Sequence, residues 1–200
     1  SLRSGQRVFR VGGISSVATH PEYRGRGLAG AVVQDCLQIM REARCHLAVL
    51  WTQRVSFYKK LGFEPAGSEH LFSFSTRINS GTTRPRTMLP FAPMYLPRII
   101  HIHEQEPLRT ERSQQEYRAY FSLPKTRTML AEKKGEITAY AVLGKGEDFR
   151  NCIHEWGGDA DDLLHLARTL AASAGLLETM ILTPAESSPF LDLLRRMQLP

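Results

Sequence analysis

Residues 14–19 read as a strand, with Ile14, Ser16 and Ala18 on one face and Ser15, Val17 and Thr19 on the other. Gly12 and Gly13 precede it, and Pro21 stops it. From 27 to 43 the period becomes helical. Leu28, Val32, Cys36, Ile39 and Ala43 form a stripe flanked by Ala29, Val33 and Met40, while Gln34, Gln38, Arg41 and Glu42 face away. The apolar run 46–51 predicts a buried strand, and 53–61 a short helix. That helix closes in Leu61-Gly62-Phe63, with Gly62 left-handed and Phe63 packed back on the last turn. Weak alternation over 63–74 predicts one or two further strands.

Between 75 and 97 neither period survives, and Pro85, Pro90, Pro93 and Pro97 crowd the stretch. We read 77–97 as a Pro-rich linker joining a first unit, 1–76, to a second, 98–200. The second unit reads as strand 99–103, helix 107–122, strands 127–132, 136–143 and 151–156, helix 159–174, strand 178–183 and helix 188–197. Asp159 suits an N-cap, Gly175 a terminator, and Ser188 a helix start. The order strand, loop, helix, strand, helix thus occurs twice, at 14–61 and 151–197, without repeated residue identity. Such alternation predicts an α/β fold with sheets of mixed direction.

Composition narrows the class. A 200-residue chain that is 42% hydrophobic and 23% charged can bury a real core, which excludes a disordered or collagen-like protein. No apolar run approaches the ~18–20 residues that span a bilayer, and residues 1–7 lack the apolar centre of a signal peptide. No membrane partner and a cytoplasmic location are expected. Cys36, Cys45 and Cys152 form no Cys-x-x-Cys pair, so neither a disulfide framework nor a thiolate metal site is expected. The net charge of +6 favours an anionic partner such as a phosphorylated cofactor. The basic residues are scattered and carry no nucleic-acid-binding signature, so nucleic acid is the weaker reading.

The chemistry concentrates in Val17-Ala18-Thr19-His20-Pro21-Glu22-Tyr23-Arg24-Gly25-Arg26-Gly27-Leu28-Ala29. A strand ends, the chain turns, and a Gly-rich run opens a helix. Gly25 and Gly27 keep side chains away from the backbone, and the first-turn amides of a helix lack intrahelical partners. With the helix dipole and with Arg24 and Arg26, this makes an anion cradle suited to a pyrophosphate. Neither the dinucleotide fingerprint nor a Walker loop is present.

Arg24-Gly25-Arg26-Gly27-Leu28-Ala29 resembles the acetyl-CoA loop of the GCN5-related N-acetyltransferases (GNATs), (Gln/Arg)-x-x-Gly-x-(Gly/Ala). Phe57-Tyr58-Lys59-Lys60-Leu61-Gly62-Phe63 resembles a second motif of that family, at the usual spacing. The resemblance implies a mixed-sheet acyl-CoA N-acyltransferase fold and transfer of an acetyl group from acetyl-CoA, with no metal, to a primary amine of a small molecule or peptide. The amides of residues 26–29 would bind the pyrophosphate, and the backbone of Val17, Ala18 and Thr19 would pair with the pantetheine arm like an added strand. Tyr58 matches the tyrosine that protonates the departing thiolate; an ordinary phenol, titrating near ~10, keeps its proton at neutral pH. The Glu that many members carry before the loop is missing. His20 is one substitute and Glu22 a weaker one; a water chain, or a group from elsewhere in the chain, would serve equally. The alternative is a non-catalytic acyl-CoA-binding or nucleic-acid-binding protein on the same scaffold.

The second unit also resembles a GNAT fold, with Asp159, Asp161 and Asp162 where the coenzyme loop would lie. Their charges would repel a pyrophosphate, so a degenerate, non-catalytic unit is expected. The whole resembles a tandem GNAT, as in the first two domains of the enhanced-intracellular-survival acetyltransferases. There is room for about one strand before Ile14, so the first unit is expected to lack the family's opening strands, with a longer chain or a homo-oligomer completing the sheets. His101 and His103, alternate on the strand expected at 99–103, would share one face, the arrangement of a metal pair, though no third ligand is visible.

Overall fold

The computed structural model describes residues 1–76, 87–184 and 188–197. In chain order the elements are β1 (Leu2–Ser4), β2 (Arg7–Phe9), β3 (Val11–Gly13), α1 (Leu28–Glu42), β4 (Leu47–Val49), α2 (Val55–Lys59), β5 (Glu69–Ser75), β6 (Thr87–Pro90), α3 (Leu96–Gln105), β7 (Leu108–Thr110), α4 (Gln114–Phe121), β8 (Arg127–Lys133), β9 (Glu136–Lys145), β10 (Asp148–Gly158), α5 (Ala160–Ser173), β11 (Glu178–Pro184) and α6 (Pro189–Arg196). They divide into two compact units. One comprises Ser1–Ala66 with Pro107–Glu111, the other Gly67–Glu106 with Arg112–Pro200.

In the first unit β1 pairs antiparallel with both β2 and β7. The room for one strand before Ile14 thus holds a short hairpin and β3. Beyond Arg10 the chain continues as β3, which pairs in parallel with β4 from Val11↔Leu47 to Gly13↔Val49. Helix α1 lies on this pair through Val33, which is fully buried, and through Met40, whose Sδ a side chain at Gly12 would strike. The expected stripe is therefore rotated. Leu28, Val32 and Ile39 are exposed, and the inward line runs at helical spacing through buried Val33 and half-buried Ala29, Leu37 and Met40.

The second unit is a six-stranded mixed sheet in the order β5-β11-β10-β9-β8-β6, with only β10 and β11 parallel. Helices cover both faces. Alternate residues of β9 separate two cores: Ala139, Ala141 and Leu143 join α5 and α6, while Tyr140 and Val142 join α3 and α4. This two-sided burial explains why β9 reads as an almost unbroken apolar run. A capping box between Ser113 and Glu116 starts α4, and Ser188 accepts from Leu191 N to start α6.

Three expectations change. Residues 99–103 lie in α3, not in a strand, because Pro97 sits in a first helical turn and Leu96, Ile99 and His103 are buried at helical spacing. His101 is exposed while His103 is buried against Tyr140 Oη at 3.2 Å, which dissolves the suggested pair. The span 107–122 divides into β7 and α4. Finally, β5 falls in the second unit although it lies within 1–76, β7 falls in the first although it lies within 98–200, and β6 is an edge strand within the linker span. The rest of that linker, 77–86, lies outside the described residues.

Candidate active site

The β3–β4 ladder stops at Gly13↔Val49, extended by one bond from Ile14 N to Val49 O at 2.9 Å. The backbone beyond it leaves the sheet, and Ser16 takes the left-handed φ of +56°. A side chain there costs roughly 1–2 kcal/mol, strain of the kind that collects at functional sites. Residues 15–19 therefore have an irregular conformation rather than the expected strand. They form one wall of a cleft of roughly 380 Å³ whose other wall is α1, through Leu28, Ala29, Val32, Val33 and Cys36. Val17, Ala18, Thr19 and His20 line it with Ile14 and Tyr23.

The turn from cleft to helix follows from its sequence. Pro21–Tyr23 make a 3-10 turn, with Tyr23 N donating to His20 O at 2.9 Å. Gly25 and Gly27 stand at φ +79° and +77°, the left-handed region, and a Cβ at either would meet nothing within 4 Å. Gly27 is the N-cap of α1, and no side chain caps the helix there. The first helical bond is Ala31 N to Gly27 O at 3.1 Å, which leaves the amides of Leu28, Ala29 and Gly30 without intrahelical acceptors. Arg24 Nε donates to Thr19 O at 3.2 Å and ties the turn to the cleft wall. The Arg26 guanidinium lies 5.2 Å from the Tyr23 ring centre. A phosphate-bearing group fits this turn, since its helix amides are uncapped, its glycines carry no side chain and two arginines belong to it.

His20 is exposed, its Nδ1 3.9 Å from Glu22 Oε2, beyond hydrogen-bonding distance. Tyr58 sits half-buried on α2, with ring centres of Phe57 at 4.9 Å and Phe63 at 5.8 Å. Phe63 N donates to Tyr58 O at 3.2 Å and Gly62 N to Lys59 O at 3.1 Å, the paired bonds of a Schellman motif, with Gly62 at φ +89° as its spacing predicts. The helix end thus fixes the Tyr58 backbone. Tyr58, Arg24, Gly25, Arg26 and Gly27 are not among the residues lining the cleft, whereas His20 is.

The second unit also holds a parallel strand pair. β10 and β11 pair in parallel only at Cys152↔Met180 and Ile153↔Ile181. Beyond it Trp156 links the two strands: its indole N–H donates to Leu182 O at 2.9 Å, and its ring meets Phe190 edge-on at 4.8 Å. Asp159 caps α5 by accepting from Asp162 N at 3.0 Å. Asp162 is fully buried, accepting from Thr138 Oγ1 at 2.6 Å and from Lys133 Nζ at 3.2 Å. On the other face of β10, Arg112 clamps Glu155 with two bonds of 2.7 and 2.6 Å. Sequence reasoning noticed the aspartates and missed both Trp156 and this pair, for which no motif exists. Among the described residues no three His, Cys, Asp or Glu side chains stand together as metal ligands, and no helix is long and apolar enough to cross a membrane.

A six-stranded mixed sheet in one unit, and in the other a Gly-rich turn that opens a helix beyond a two-stranded parallel pair, are features compatible with a GNAT fold. Residues 1–66 match the family model described as an acetyltransferase (GNAT) domain. Over 55 residues the chain is 42% identical to a glucosamine 6-phosphate N-acetyltransferase from Trypanosoma brucei brucei, a match covering 26% of this chain and 37% of that protein. A GCN5-related N-acetyltransferase from Kribbella flavida superposes with a TM-score of 0.67 at 19% identity, over 96% of this chain and 50% of that one. A tandem GNAT protein from the clavulanic acid biosynthesis pathway does so with a TM-score of 0.60 at 12% identity, over 99% and 79%. The chain spans about half the length of the Kribbella protein, and its match to the curated relative just over a third. Together these likenesses support the mixed α/β GNAT fold, with the sequence match to a GNAT domain confined to residues 1–66.

Proposed function

We propose that the chain is an acetyl-CoA-dependent N-acetyltransferase that acts in the cytoplasm on a primary amine of a small molecule or peptide. The observation that carries this reading is the cleft at the end of the β3–β4 ladder, which opens beside the uncapped amides of α1. The amides of residues 26–29 hold the coenzyme pyrophosphate, aided by Arg24 and Arg26. The free backbone of Val17, Ala18 and Thr19 pairs with the pantetheine arm. Bound acetyl-CoA supplies an acyl group activated as a thioester. Tyr58 holds the proton that the leaving sulfur takes up, and His20, in the cleft wall, is the candidate to accept the proton of the attacking amine.

We assign the second unit a non-catalytic role within a tandem arrangement similar to the leading domains of the enhanced-intracellular-survival acetyltransferases. The bond from Trp156 to Leu182 O and the Asp159 cap on α5 support that reading. The test is calorimetric titration with coenzyme A, followed by acetyl transfer from acetyl-CoA across a panel of amines that includes glucosamine 6-phosphate. One coenzyme site per chain and turnover of at least one amine are expected. Coenzyme binding without transfer to any amine would favour a binding protein on this scaffold, and no binding would end the proposal.

A further inference from the structure

The first unit carries the whole net charge of the molecule: eleven Lys and Arg residues stand against five acids, a balance of +6, while the second unit is neutral. Its acids do little to offset this. Glu111 is paired with Arg3 and Arg109, and Glu64 with Lys59, so eight of the eleven cations have no carboxylate partner among the described residues. One of them, Arg54, stands three residues after Trp51 in the turn between β4 and α2.

Trp51 is 77% exposed and has no ring partner among the described residues, although indoles are usually well buried. The register places it. Trp51 stands two residues past Val49, where the β3–β4 ladder ends and the facing chain goes on to form the cleft wall. Tyr58 follows on α2, the next element. The turn between them is braced, not loose: Arg54 N donates to Thr52 Oγ1 at 2.9 Å, and Arg54 O accepts from Phe57 N at 3.1 Å.

We propose that the β4–α2 turn is the acceptor platform, and that the acceptor is a phosphorylated amine with a ring-shaped body. Trp51 offers a rigid apolar face against which a ring stacks, and Arg54 offers a free guanidinium for the phosphate. The excess positive charge of the first unit draws such a ligand in. This rests on the acetyltransferase reading above and adds the substrate class to it.

Two measurements test it. In steady-state transfer from acetyl-CoA, Trp51→Ala raises the KM for a hexosamine phosphate at least tenfold, Trp51→Phe restores it to within about threefold, and coenzyme A affinity stays constant in both. Arg54→Gln raises the KM for the hexosamine phosphate but not for the unphosphorylated hexosamine. An unchanged KM in Trp51→Ala, or an equal effect of Arg54→Gln on both amines, overturns the platform. The second measurement needs no turnover. Trp156→Phe leaves Trp51 as the sole indole, and its emission is expected to change saturably on titration with the hexosamine phosphate. A flat titration overturns the platform even if coenzyme A binds, whereas a saturable response without coenzyme binding counts against the acetyltransferase reading alone.

Discussion

Two parallel strand pairs in this molecule come apart at their C-terminal ends, and the residues beyond them decide opposite outcomes. After Gly13 and Val49 the opening is a cleft bounded by bare backbone, with a glycine as the N-cap of the next helix. After Ile153 and Ile181 the opening holds an indole, and the next helix is capped by its own aspartate. A side-chain carboxylate at the N-cap consumes an amide that a glycine leaves to a ligand. An indole N–H takes the free carbonyl of a strand edge that an extended ligand would otherwise use.

The largest break in the contrast comes from Gly27→Glu. A carboxylate about 4 Å from a pyrophosphate oxygen costs roughly 4 kcal/mol near a protein surface, so coenzyme A affinity falls more than ~10²-fold by calorimetry. Gly27→Ala, which shares the backbone strain but not the charge, should lower Tm and still bind. Any coenzyme site that survives in Gly27→Glu lies in the second unit and removes the contrast. Next, Tyr58→Phe keeps the ring contacts and deletes the proton, so kcat falls by ~10²–10⁴ with coenzyme affinity unchanged. Wild-type turnover would leave Tyr58 a packing residue.

On the closed side, Trp156→Ala removes the indole bond to Leu182 and the contact with Phe190, and costs about 3–5 kcal/mol in denaturant unfolding. Coenzyme binding is not gained, because Asp159 still occupies the helix end. The acid stability of the second unit sharpens the contrast further. Burial alone would raise the Glu155 carboxyl, but the Arg112 guanidinium outweighs burial and holds it below the ordinary 4.5. Burial lowers the His154 imidazole below its ordinary 6.5, despite the bond from its Nε2–H to Gly144 O at 2.9 Å. Both groups bind fewer protons folded than unfolded, so their stabilisation is complete above about pH 6.5. It is lost as pH falls, first through His154 and then, below about 4.5, through Glu155. Denaturant melts from pH 2 to 8 should show both stages, and Glu155→Gln should diminish the lower one. Arg26→Gln gives the smallest effect, a three- to tenfold loss of coenzyme affinity that shrinks at high salt.

The parts that sequence conveyed were those set by local chemistry. Gly62 had to be left-handed to end α2, and Gly25 and Gly27 had to leave the backbone bare; both positions follow from residue type alone. Helices α5 and α6 announce themselves by their caps. The α3 segment was misread because Ile99-Ile100 and the alternate histidines imitate a strand, while the contacts that make it a helix lie on distant β9. The stripe on α1 was misassigned because that helix has two apolar faces. One packs on β3, and the other, through Leu28 and Val32, lines the cleft. Trp51 and Trp156 show the limit most plainly. Nothing in either residue's neighbours along the chain says that one stands bare and the other plugs a gap.

The exchanged strands give the molecule a history as it is made. β5 leaves the ribosome early, yet its pairing partner β11 begins only at Glu178, so Ser75 waits about a hundred residues for its neighbour. The first unit in turn lacks β7 until Thr110 has been synthesised. Neither sheet is completed in the order in which it is translated, and long-range pairings of this kind are slow to form. A nascent chain arrested between 76 and 107 would expose β5 as an unpaired edge, the surface on which strand-to-strand aggregation starts.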